Sequence, residues 1–125
     1  MSDSPRRSWR VAFALYAATL FTATHWPRLE VPMVVPRSDL YVHAGVFGVW
    51  TGLAIACGFF GPRLSRTNIL ATGLLGIAYA ALDEALQAIP VLHRTAAFDD
   101  WAADCLGGVL VSIVALVLSR KVTHA

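Results

Sequence analysis

The chain has 125 residues, 57% of them hydrophobic and 14% charged, with a formal net charge of +2. Ordinary soluble domains carry about 25% charged residues, so this balance, with its positive mean hydropathy, excludes a soluble domain and points to a small integral membrane protein. The slight positive charge is explained by basic residues at the ends of apolar segments, and no basic patch for nucleic acid is expected.

The first apolar segment runs from Trp9 to Trp26 and follows Arg6, Arg7 and Arg10. Basic residues before an apolar run also open signal peptides, but Thr22-Ala23-Thr24 is a poor cleavage site, so the arginines read better as a membrane anchor. Pro27, Pro32 and Pro36 then forbid a regular helix. That loop is expected to lie flat on the outer surface, its apolar residues Val31, Met33, Val34 and Val35 covering a pocket or resting on headgroups.

The second segment spans Tyr41 to Phe60 and stops at Gly61-Pro62. The third spans Thr67 to Ile89 and stops at Pro90, and the fourth spans Trp101 to Leu118. Each is close to the ~20 residues a helix needs to cross the hydrocarbon. The expected fold is therefore all-α, an integral membrane bundle of four transmembrane helices (9–26, 41–60, 67–89, 101–118) in a single domain, residues 1–125.

Arg6, Arg7, Arg10, Arg63, Arg66, Arg120 and Lys121 all fall on one side of such a bundle. The positive-inside rule then puts both termini in the cytoplasm of a multi-pass cell-membrane protein. Rows of small residues prepare close helix contacts: Ala44, Gly48, Gly52 and Ala56 in the second segment, Thr72, Gly76 and Ala80 in the third, and Gly107 and Gly108 in the fourth. Cys57 and Cys105 belong to opposite ends of their helices, too far apart for a disulfide.

Trp9, Trp26, Tyr41 and Trp101 stand at segment ends, where aromatic rings anchor to headgroups. Trp50 is mid-segment and expected in packing, His25 is expected at the interface, and Tyr79 packs in the core or bonds to Asp83.

The acidic residues gather at the outer end. Asp39, Asp83, Glu84, Asp99, Asp100 and Asp104 would lie near one membrane face beside His43, Gln87 and Arg94. Asp39 and His43 are four apart, Glu84 and Gln87 three apart, and Asp100 and Asp104 four apart, so each pair shares a helix face. An ionised carboxylate at the bilayer centre costs about 2.5 to 3.5 kcal/mol on insertion scales, so deep members of this set require partners.

Two readings follow. One is an interfacial network in which Arg94 neutralises Glu84 and Asp104 while His43 bonds to Asp39. The other is a site for a polar group, because one arginine and one histidine do not balance so many carboxylates. A divalent cation held by Asp104, Glu84 and His43, shared protons or a cationic ligand would make up the difference. The cofactor and metal identity stay open.

The pair Asp39-x-x-x-His43, the pair Glu84-x-x-Gln87, Arg94, and the run Asp100-x-x-Ala-Asp104-x-x-Gly107 together resemble the VanZ-like family. The resemblance covers about residues 37 to 112. Two positions depart from it: Asp104 stands where many relatives have Asn, and Leu40 where many have Lys.

The resemblance implies a small polytopic membrane protein with a cell-envelope role, the named member being linked to reduced susceptibility to teicoplanin. It singles out Asp39, His43 and Glu84 as candidate catalytic residues, and Gln87, Arg94, Asp100 and Asp104 as candidate ligand-binding residues. As an enzyme on a lipid-linked envelope molecule, the chain would use His43 as acid or base, Glu84 as its counterpart, and Arg94 to hold a phosphate or carboxylate. As a binding protein it would recognise a lipid headgroup, a cationic drug, a glycopeptide or a partner membrane protein with the same pocket. No sequence such as H-E-x-x-H or G-x-S-x-G supports a particular reaction, and the oligomeric state is open. Conduction is disfavoured, because the inner halves of the spans lack ionisable residues to continue a relay.

Overall fold

Apolar stretches broken by proline and glycine become helices with short connections in the computed structural model, which describes residues 4–27 and 35–123. The helices are α1 (Ser4–His25), α2 (Ser38–Cys57), α3 (Arg66–Gln87) and α4 (Phe98–Thr123), with a single 3-10 turn at Pro90–Leu92. No strand occurs among the described residues. Most of the loop expected to cover the pocket, residues 28–34, lies outside the described residues.

Among the described residues, three helices are long and apolar enough to cross a membrane: Ser38–Cys57, Arg66–Gln87 and Phe98–Lys121. Large apolar side chains such as Leu74, Leu106 and Val114 point outward from α3 and α4, as lipid-facing surfaces require. α1 is more polar, with Arg6, Arg7 and Arg10 in its first turns and Thr19, Thr22, Thr24 and His25 towards its end. Two of those threonines return their hydroxyls to the helix, Thr19 to Leu15 O and Thr22 to Ala18 O, both at 2.8 Å.

Local chemistry sets the boundaries. α2 stops at Cys57 rather than Phe60 because Gly58 takes a left-handed conformation (φ 62°) and donates its N–H to Ile55 O. α3 begins where the Ser65 side chain accepts the Asn68 N–H at 3.2 Å. α1 starts at Ser4 and α4 runs to Thr123, past the apolar limits, because Arg and Lys favour helix once a helix is under way.

α2 is central and packs most extensively on α4. Their backbones touch at Gly107, where a Cβ would stand 1.9 Å from Ala44 O, so only hydrogen fits. Thr51 of α2 fills the gap left by Gly76 of α3 and Gly108 of α4. The expected small-residue rows are therefore helix seams. Beside them Trp50 is buried and stacks on Tyr79 with ring centroids 5.1 Å apart, and Tyr16 ties α1 to α2 by donating to Val46 O at 2.8 Å.

Candidate functional site

The ends of α1 and α3 and the starts of α2 and α4 meet at one end of the bundle, and the acidic residues come with them. α3 supplies Asp83, Glu84 and Gln87, all buried. Asp83 and Gln87 are one turn apart, and Gln87 Nε2 donates to Asp83 Oδ2 at 3.0 Å. The bond thus runs between residues four apart, and Glu84 takes its partner elsewhere. Its Oε1 accepts the Ala97 N–H at 2.5 Å, stitching the end of α3 to the approach of α4.

α1 completes the Asp83 site. Thr24 Oγ1 donates to Asp83 Oδ1 at 2.9 Å, and His25 Nδ1 lies 3.7 Å from the same oxygen. The His25 ring stacks on Phe21 with centroids 4.1 Å apart. His25, at the end of α1, therefore adjoins the polar network.

His43 does not form the bond to Asp39 that the interfacial-network reading expects. Its Nδ1 lies 2.9 Å from Oδ1 of Asp104, and its Nε2 lies 3.8 Å from Asp100 Oδ2, so two α4 carboxylates one turn apart flank the ring. The Gly107–Ala44 contact causes this: it brings the α4 face bearing Asp100 and Asp104 against the α2 face bearing His43. Asp39 stays half-buried in the first turn of α2. Asp99 faces outward and pairs with Arg37.

Arg94 lies in the connection before α4 and donates its Nε to Gln87 Oε1 at 3.1 Å. Among the described residues no ion pair joins Arg94 to Glu84 or Asp104, although the interfacial-network reading expects both. The result is a chain of hydrogen bonds from Arg94 through Gln87 to Asp83 and back to Thr24 on α1.

Several buried atoms have no protein partner. Glu84 Oε2 and Asp104 Oδ2 are such acceptors, and Trp101 Nε1 is such a donor. A buried polar atom left unsatisfied costs about 1–3 kcal/mol, so these oxygens mark where a proton, a water or a ligand group would be favoured. Among the described residues no group of three His, Cys, Asp or Glu side chains is placed to hold a metal ion. His43, Glu84 and Asp104 therefore do not form a ready-made ligand set.

A small cleft of about 120 Å³ opens between α1 and α2 at this same end. Leu20, Ala23, Val46 and Phe47 give it apolar walls, and Thr24, His43 and Arg94 give it polar ones. Sequence reasoning named His43 and Arg94 but missed Thr24, for which a hydroxyl near a helix end is the only signal.

No family model, no curated protein and no solved structure matches this chain.

Proposed function

We propose that the chain is a VanZ-like integral membrane protein of the cell envelope, crossing the membrane four times with both termini cytoplasmic and its polar end outward. The three strongly apolar helices support membrane insertion, and α1, at 22 residues, is long enough to accompany them. Arg6, Arg7, Arg10, Arg63, Arg66, Arg120 and Lys121 are all at the end opposite the carboxylates, which supports the orientation.

The observation that carries the functional reading is the convergence of His43, Glu84, Gln87, Arg94, Asp100 and Asp104 at one end, with two buried carboxylate oxygens left without protein donors. The outward-facing site then acts on a polar envelope component and lowers susceptibility to teicoplanin-type lipoglycopeptides. The test is susceptibility of a sensitive host expressing wild type or Glu84→Gln at matched membrane levels. Protection by the wild type that the substitution abolishes is expected; no protection by either removes the lipoglycopeptide role.

One observation favours an enzymatic variant of this reading. His43 Nδ1 rests on a carboxylate that is 2% exposed, the arrangement by which a buried acid orients an imidazole for proton transfer. Acting on a lipid-linked envelope molecule, His43 would be the acid or base. Undiminished function of His43→Gln excludes that variant and leaves binding.

A further inference from the structure

The end of the bundle opposite the carboxylates has the reverse composition. Arg6, Arg7 and Arg10 open α1, Arg63 stands in the α2–α3 turn, and α4 runs out through Arg120 and Lys121. Among the described residues no acidic side chain accompanies them, and none of them enters an ion pair. The arginine that does pair with a carboxylate, Arg37, is at the other end.

Two of these cations are held in place by aromatic rings. Arg10 of α1 lies over Phe59 with its guanidinium carbon 5.8 Å from the ring centroid, and Arg63 lies over Trp9 of α1 at 5.9 Å. Phe13, one turn beyond Trp9, packs edge-on against the same Phe59 at 5.5 Å. The start of α1 and the α2–α3 turn therefore form one junction, to which each side brings an arginine. The turn is tight: a Cβ at Gly58 would stand 2.8 Å from Gly61 O, and Arg63 Cγ lies 3.8 Å from that same point, so the Arg63 stem packs against the turn. Arg63 is half-buried there. An aromatic face offsets the charge of a guanidinium but leaves its five N–H donors to find oxygen acceptors. Beside this junction Arg6 and Arg7 join Arg10 along a shallow groove whose other walls are Val11 and Ala14.

We infer that the junction of α1 with the α2–α3 turn binds the phosphate of an anionic phospholipid, Arg10 and Arg63 donating to its oxygens while Arg6 and Arg7 add attraction. The inference goes beyond the reading of the acidic end and needs only that the three apolar helices sit in a membrane. Planar guanidinium forks match phosphate oxygens, and here they come from two elements already fixed against each other. A zwitterionic headgroup would carry its own cation into a cluster that has no carboxylate to receive it, so a headgroup of net negative charge is selected.

The test uses the full chain purified in an uncharged detergent and titrated with short-chain phosphatidylglycerol or phosphatidylcholine, bound lipid being counted by native mass spectrometry, with inorganic phosphate as competitor. Phosphatidylglycerol should bind about tenfold or more tightly than phosphatidylcholine, the effect of one or more charge-assisted hydrogen bonds. Arg10→Gln/Arg63→Gln should remove that preference. Arg120→Gln/Lys121→Gln takes the same charge from the same end, and Arg37→Gln takes charge from the other; both should leave the preference in place. Arg10→Lys/Arg63→Lys keeps the charge and loses the forked donors, and its preference should be reduced but not abolished.

Equal binding of the two lipids overturns charge selection, and displacement of phosphatidylglycerol by equimolar inorganic phosphate overturns a lipid as the ligand. Equal losses in the Arg10/Arg63 and Arg120/Lys121 glutamine pairs overturn a site in favour of diffuse attraction. If Arg10→Gln/Arg63→Gln fails to fold, the lysine pair decides, and unchanged affinity in whichever of the two pairs folds overturns the location.

Discussion

Both ends of this bundle bury polar side chains, but they satisfy them in different ways. At the turn between α2 and α3, Asn68 is fully buried, and its amide donates to Ile55 O at 3.0 Å and Arg63 O at 2.9 Å while accepting from Phe60 N at 3.1 Å. All these partners lie within 13 residues of it in sequence. At the other end, Asp83, Glu84, Gln87 and Asp104 take partners from α1, α2, α3 and the connection before α4, and Glu84 Oε2 and Asp104 Oδ2 are still left over. The first end is polar burial in the service of a turn. The second keeps unsatisfied acceptors that folding alone would not favour, and natural proteins tolerate such groups mainly where they serve function.

The sharpest way to break the comparison is to separate the seam that joins the two ends. Gly107→Val places a side chain where Ala44 O already stands, and overpacking against backbone is expected to cost about 3 kcal/mol or more. Loss of the monodisperse peak in size-exclusion chromatography of the detergent-solubilised protein checks this.

Asn68→Leu comes next, because it orphans the Ile55 and Arg63 carbonyls and the Phe60 N–H together. About 2–4 kcal/mol of destabilisation is expected, read as a lower midpoint in thermal unfolding, with any remaining folded protein functioning normally. At the acidic end Asp104→Asn keeps the oxygen that faces His43 and removes the charge. It should change stability by no more than about 1 kcal/mol while abolishing protection in the susceptibility assay.

The smallest effect belongs to Arg37→Gln. Arg37 and Asp99 are both more than half exposed, and surface pairs contribute about 0–1 kcal/mol. Neither the unfolding midpoint nor protection should move appreciably.

The four helices were legible because apolar stretches of helical length alternate with Pro and Gly stops. Their ends were less so. Gly58 closes α2 before Phe60, since a left-handed cap outweighs two more apolar residues. The membership of the acidic end could also be read, as helix periodicity put His43, Glu84, Gln87, Asp100 and Asp104 at one level.

The pairing could not be read. His43 chooses Asp104 over its own helix neighbour Asp39 because the Gly107–Ala44 contact fixes which faces meet, and that is a property of two helices together. Gln87 could in principle have been assigned to Asp83, four residues away, but the three-residue spacing to Glu84 was equally permissible. The burial of Asn68 could not be read either, although Ser65-x-x-Asn68 carries the spacing of a helix N-cap.

The central claim is that the acidic end is a site and the Asn68 end is scaffold. The most direct measurement is thermal unfolding, in detergent, of the double variant Glu84→Gln/Asp104→Asn beside the wild type. Both substitutions neutralise a buried carboxylate that has one oxygen without a protein partner, and functional sites are commonly relieved rather than weakened by such changes. An unchanged or raised midpoint is the predicted result. A fall as large as that of Asn68→Leu would contradict the account, making the acidic end part of the framework.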